Sequence, residues 1–173
     1  MGAPGDDYPF PWAVVPWLPG ETVAESHVDP DRLAEELAGF VAALRAADAK
    51  GGPAKTGRTR GVPLDPAWAV EEQIDGLGPL VDSTRAKRVW RSALEAGPWD
   101  GDPVWIHGDL LEGNLLVHQG RLSAVIDFGA LGVADPAPDV APAWTLFDGS
   151  SRRRYRELLA VDDATWARAL GPG

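Results

Sequence analysis

Three oxygen-bearing side chains lie around a short apolar stretch in the second half of the chain. From His107 the sequence reads HGDLLEGNLLV, eight residues follow, then IDFG, and ADPAPD ends at Asp139. Asp109 is followed five positions later by Asn114, and Asp127 opens an Asp-Phe-Gly triplet beyond a turn. A carboxylate and an amide oxygen, here Asp127 and Asn114, suit hard Mg²⁺. A second carboxylate, Asp109, can face an attacking hydroxyl. Phosphoryl transfer needs little covalent help from a protein. It needs a positioned hydroxyl and cations on the phosphates.

The elements that must position these groups are legible around them. Leu115-Leu116-Val117 and Leu122–Ile126 read as strands, with Gln119-Gly120 as the hairpin turn between them. The turn folds the chain back, so residues at the open ends become neighbours. Val104-Trp105-Ile106 reads as a further short strand, and the segment from Phe128 to Pro138 as a loop. Upstream, a helix is expected from about Pro30 to Ala47. Asp29 can cap it, Pro30 suits its first position, and Leu33, Leu37, Phe40, Val41 and Leu44 repeat at helical spacing. Two more helices are expected at about Ala67–Leu77 and Ser83–Ala96, and three at about Asp139–Phe147, Arg152–Ala160 and Ala164–Leu170. Trp12 to Leu18 is an apolar run of strand length, which Pro16 demotes to an edge strand or one ending in a turn. Lys50 to Pro66, rich in Gly, Pro and charge, reads as a loop.

Composition narrows the function classes. The chain has 173 residues and a formal net charge of −10. A strongly acidic chain is a poor nucleic-acid binder, because phosphate affinity comes mainly from Lys and Arg. Acidity suits a cationic small molecule and serves solubility equally. There is no cysteine, which excludes disulfides, thiolate catalysis and Cys-based zinc sites. No stretch is long and apolar enough to span a membrane, and MGAPGDDYPF lacks the features of a signal peptide, so a cytoplasmic location is expected.

The order and spacing from His107 to Gly129 are those of the protein-kinase catalytic loop and metal-binding triplet, with Gly108 where the kinases have Arg. HGDLLEGNLLV followed by RLSAVIDFGALGVADPAPDVA resembles the aminoglycoside phosphotransferase family, within the broader kinase-like fold. The resemblance extends to YPFPWAVVPWLPGETV, similar to that family's hinge strand, and to the helix DRLAEELAGFVAALRAAD after it. It implies an α+β fold, the mostly helical C-lobe of a protein-kinase-like structure with a small central β-hairpin. Residues 1–20 would be a remnant of the N-lobe and hinge strand, and residues 21–173 the helical catalytic-loop lobe, incomplete at its C-terminus. It also implies that Asp109 is the catalytic base, that Asn114 and Asp127 hold Mg²⁺, and that the hinge backbone at Val15, Pro16, Trp17 and Leu18 meets the base of ATP or GTP. His107 would position the catalytic loop and Asp139 would brace it from below. The γ-phosphate would go to a hydroxyl of a small molecule such as an aminoglycoside.

The resemblance departs from the family at the N-terminus. Only about ten residues precede the hinge, too few for a phosphate-covering β-lobe. The lysines are Lys50, Lys55 and Lys87, and none lies on a strand of the V-A-I-K type. Poor turnover by the short chain is therefore expected, with self-association through a bared hinge face. The alternative is a catalytically inactive remnant serving as a binding or interaction module. Gly51-Gly52-Pro53-Ala54-Lys55-Thr56 is faintly similar to a P-loop, but Ala54 stands where Gly must precede Lys, and a helix precedes the loop where a strand is needed. His27 and His118 have no ligand-spaced neighbours, which argues against zinc.

Overall fold

A computed structural model describes residues 1–171. In chain order the elements are β1 (Glu21–Thr22), α1 (Pro30–Arg45), α2 (Val70–Gly76), α3 (Ser83–Glu95), β2 (Val104–Ile106), β3 (Leu115–His118), β4 (Arg121–Val125), β5 (Gly132–Ala134), α4 (Pro142–Thr145), α5 (Gly149–Leu159) and α6 (Asp163–Leu170). The expected α+β, mostly helical architecture holds, with a hairpin at its centre.

Helix α1 starts where its sequence signals lie. The Asp29 carboxylate accepts a hydrogen bond from the Arg32 N–H at 2.8 Å, and Pro30 occupies the first turn. Leu33, Ala34, Leu37, Ala38 and Val41 form one buried stripe. That stripe packs against α5, where Tyr155 and Leu159 are buried in the same core. Burying each large aliphatic side chain contributes about 1.5–3 kcal/mol, so this helix pair anchors the lobe. Glu36, on α1, also holds the hairpin. Its two carboxylate oxygens accept from Arg121 Nε at 2.8 Å and from the Leu122 N–H at 2.7 Å.

The hairpin turn has positive φ at both Gln119 (52°) and Gly120 (72°), the conformation whose twist matches paired strands. Strand β1 adds antiparallel to β3, giving a three-stranded sheet in the order β1-β3-β4. Strand β2 pairs antiparallel with β5, setting Ile106 opposite Gly132. Both sheets thus end beside the residues that flank Asp109 and Asp127.

Four sequence expectations need correction. Residues 12–18 form no strand, and their one ladder contact is an isolated bridge from Trp12 to Gly2. Pro16 removes a donor from the segment, Pro11 and Pro19 flank it, and Trp17 is left 93 % exposed. The helix expected at Ala67–Leu77 is broken at Ala69, which is left-handed (φ 53°), into a 3₁₀ turn at Pro66–Trp68 and α2. The segment expected to be a loop after Phe128 contains β5, and the helix expected at Asp139–Phe147 divides into a 3₁₀ turn at Ala137–Asp139 and the short α4.

Candidate active site

The catalytic loop is built on β2 and hangs from a buried carboxylate. Asp139 has no exposed surface, and its Oδ2 and Oδ1 accept from the backbone N–H groups of His107 and Gly108, each at 2.8 Å. Burial pushes the Asp139 carboxyl above its ordinary range, while those two N–H donors and the nearby charge of Arg45 pull it back. Asp139 is itself held from behind, since the Tyr155 hydroxyl donates to its backbone carbonyl at 2.7 Å. Full burial raises the Tyr155 phenol well above its usual value.

Gly108 has φ +79°, and a Cβ built there would lie 3.0 Å from the Ala130 carbonyl oxygen. Both facts favour glycine at the position where kinases carry arginine. His107 is fully buried. Its Nε2 lies 3.1 Å from the Ile126 carbonyl, and its Nδ1 is 3.3 Å from the Asp109 N–H. These two contacts assign the neutral ring with the proton on Nε2. The ring ties the catalytic loop to the strand that ends at Asp127, and Phe128 packs edge-on against it at 4.7 Å.

Asn114 closes the constellation. Its Nδ2 donates to the Asp109 carbonyl at 2.8 Å and lies 3.2 Å from Asp109 Oδ2. Its backbone carbonyl accepts from the Ile126 N–H at 2.9 Å. The residues preceding Asp127 are thus stitched directly to Asn114. Asp127 is left-handed (φ 60°, ψ 66°). Such a backbone is uncommon outside glycine and is tolerated by Asp. Its Oδ1 accepts from the Gly129 N–H at 3.3 Å, and the rest of the carboxylate stays available. This carboxylate and Asn114 Oδ1 are the candidate oxygen ligands for a divalent cation.

Arg60 is the residue that sequence reasoning missed. Its Nη1 donates to Asp109 Oδ1 at 2.5 Å and to the Gly108 carbonyl at 3.3 Å. It comes from the loop between α1 and α2, and that loop is pinned to β5. The Val133 N–H donates to the Pro53 carbonyl at 2.8 Å, and the Asp135 N–H to Gly61 at 3.3 Å. Gly61 (φ +90°) permits this approach, because an added Cβ would lie 2.7 Å from Ile106 Cδ1. Lys55 is occupied within the same seam, donating to the Ala130 carbonyl at 2.7 Å. Val15, Pro16, Trp17 and Leu18, expected as the hinge, are exposed, and they share no hydrogen bond with the loop or the triplet among the described residues.

A sequence profile of the phosphotransferase enzyme family matches residues 1–171. The chain belongs to that family. Over 165 residues it is 26 % identical to an aminoglycoside 3'-phosphotransferase of Escherichia coli, covering 88 % of this chain and 59 % of that protein. It is 32 % identical over 150 residues to the viomycin phosphotransferase of Streptomyces vinaceus, covering 81 % of this chain and 51 % of the relative. Among solved structures, a macrolide 2'-phosphotransferase from Brachybacterium faecium superposes with a TM-score of 0.62 at 25 % identity, covering 90 % of this chain and 57 % of that one. The chain therefore spans about half to three fifths of the length of these relatives. A buried ion pair stiffens its lobe below the site. Arg168 Nε of α6 donates to Asp135 Oδ2 at 2.7 Å, with side-chain exposures of 4 % and 9 %. No helix among the described residues is long and apolar enough to cross a membrane.

Proposed function

We propose that this phosphotransferase moves the γ-phosphate of Mg-bound ATP or GTP to a hydroxyl of a small molecule, with Asp109 as the base. The observation that carries the reading is the hydrogen-bonded ring joining Asp109, Asn114 and Ile126-Asp127 through His107. In the reaction, the substrate hydroxyl gives its proton to Asp109. Its oxygen forms a bond to the γ-phosphorus as the bond to the β–γ bridging oxygen breaks, and the nucleoside diphosphate leaves. Asn114 Oδ1 and the Asp127 carboxylate would hold Mg²⁺, which neutralises charge on the phosphates. Asp139 and His107 hold Asp109 in place. The backbone of residues 15–18 would meet the nucleotide base.

The metal ligands and the base attend one side of the phosphates. The lysines that could attend the other are engaged or remote: Lys55 binds Ala130, and Lys87 pairs with Asp75 at 2.6 Å. Slow turnover by the 173-residue chain follows, because phosphates left partly in water gain little from each charge contact. The second reading, a binding or interaction module without turnover, is favoured by the engagement of Lys55 and Lys87 away from the site. The bared apolar segment around Val14 and Trp17 supports self-association in either case.

The test is ADP formation from Mg·ATP with a panel of hydroxylated acceptors, for the wild-type chain and Asp109→Asn. The first reading expects acceptor-stimulated, Mg-dependent turnover that falls about 10²–10⁴-fold in the variant. Mg-dependent nucleotide binding without turnover supports the second reading. Turnover equal in both proteins overturns the role of Asp109.

A further inference from the structure

A cavity of about 790 Å³ opens beside the catalytic loop, walled by the 58–64 loop, α2, α3 and the end of α6. Its size falls within the range of small-molecule sites, roughly 300–1,000 Å³. Arg60 links it to the chemistry, since the same guanidinium lines the cavity and donates to Asp109. Most of the wall is apolar, from Trp68, Val70, Ile74, Leu77, Val89 and Trp90. The charged groups on it are Arg58, Arg60 and Arg85 against a single carboxylate, Asp82.

That carboxylate is already engaged. Asp82 caps α3 by accepting from the Arg85 N–H at 3.0 Å. Arg58 lies over the Trp68 ring at 5.5 Å. Neither Arg58 nor Arg85 pairs with a carboxylate among the described residues. With Arg60 paired to Asp109, Arg58 and Arg85 outnumber Asp82 by one, so the cavity wall carries a small positive excess in a chain whose net charge is −10. A polycation entering it would leave water to face guanidinium groups, a loss on both counts. An apolar body gains by covering the tryptophans and aliphatic side chains, and a neutral or anionic rim gains from Arg58 and Arg85.

We infer that the molecule accepted beside Asp109 has an extended apolar body, bears a hydroxyl and carries no positive charge. The inference rests on the phosphotransferase reading for the fate of the hydroxyl, but the binding itself can be measured separately. The net acidity of the chain suits a cationic small molecule and solubility equally, whereas the cavity wall carries a positive excess.

The experiment is a tryptophan-fluorescence titration of the full chain with three probes. These are octyl glucoside below its micelle concentration (neutral, apolar, hydroxylated), anilinonaphthalene sulfonate (an apolar anion) and kanamycin (a polycation). Saturable binding of the first two and none of kanamycin is expected. Leu77 is exposed, so Leu77→Asp spares the fold, and it should weaken both probes about ten-fold or more. Arg85→Glu should weaken the sulfonate about ten-fold while leaving the glucoside within about two-fold. Kanamycin binding more tightly than the glucoside, no binding of either apolar probe, or binding indifferent to Leu77→Asp overturns the inference. Kanamycin-stimulated ADP formation that needs Asp109 would sink the inference and leave the phosphotransferase reading standing. Leu77-dependent glucoside binding together with ADP formation indifferent to Asp109 would do the reverse.

Discussion

Replacing Asp139 by alanine isolates the support of the catalytic loop from its chemistry. The wild-type carboxylate is fully buried and accepts two backbone N–H groups, those of His107 and Gly108, each at 2.8 Å. Alanine leaves both donors without an acceptor. Each buried unsatisfied donor costs about 1–3 kcal/mol, so the sum is about 2–6 kcal/mol. Relaxation of the loop recovers part of this, and about 3 kcal/mol is the expected loss. That is a large share of the roughly 5–15 kcal/mol that holds a domain together. The contact of Tyr155 with the main-chain carbonyl survives the change, so the variant retains the packing behind the loop. Asp139→Asn keeps one acceptor oxygen and should lose about half as much. Urea unfolding followed by tryptophan fluorescence measures both. At a slope of about 2 kcal/mol/M, the alanine variant should unfold about 1.5 M earlier with the slope unchanged. An alanine variant within about 0.5 kcal/mol of wild type refutes the reasoning, since it means that the two N–H groups have other acceptors.

Arg168→Ala removes one partner of a buried ion pair and strands the Asp135 carboxylate, so a loss of about 3–5 kcal/mol is expected in the same urea assay, whereas a loss below about 1 kcal/mol would show the pair to be solvated. Gly108→Ala places a Cβ at φ +79° and against the Ala130 carbonyl, costing about 1–2 kcal/mol; a thermal melt at unchanged midpoint contradicts the strain. The raised carboxyl of Asp139 sets a pH dependence. A carboxyl whose folded pKa exceeds its unfolded value contributes stability fully present below the unfolded pKa and lost as pH rises through the folded one. Wild type should therefore gain stability relative to Asp139→Asn as pH falls from neutral toward about pH 4, and the opposite slope in paired urea titrations refutes the burial argument.

The parts of this structure legible in the sequence are those where local chemistry decides the backbone. Asp29-Pro30 and the apolar repeat after them forced α1, and Gln119-Gly120 forced the hairpin. The loop motif singled out Asp109, Asn114 and Asp127, and the resemblance put Asp139 under that loop, where its carboxylate accepts from the His107 and Gly108 N–H groups. Strands β1 (Glu-Thr) and β5 (Gly-Val-Ala) lack an apolar run like the Val-Trp-Ile of β2, and their existence depends on β3 and β2. The break at Ala69 has no residue signal, since alanine is a helix former with no special tolerance of positive φ. Arg60 lies 49 positions from Asp109 in a loop that reads as surface, and only the pinning of that loop to β5 brings the two together. The Arg168–Asp135 pair spans 33 positions and has no local mark either. Residues 12–18, expected as an edge strand or one ending in a turn at Pro16, form no strand, because pairing requires donors and a neighbouring strand and the run meets only the isolated bridge to Gly2.

The central claim is that Asn114 and Asp127 hold a divalent cation on the phosphates of a nucleotide beside Asp109. Electron paramagnetic resonance of Mn²⁺, titrated into the chain with and without ATP, measures this directly. The account predicts that ATP tightens Mn²⁺ binding, and that Asn114→Ala and Asp127→Asn each weaken the ternary complex about ten-fold or more, which corresponds to about 1.4 kcal/mol or more per ligand. Equal Mn²⁺ affinity in all three proteins, with or without ATP, would contradict it.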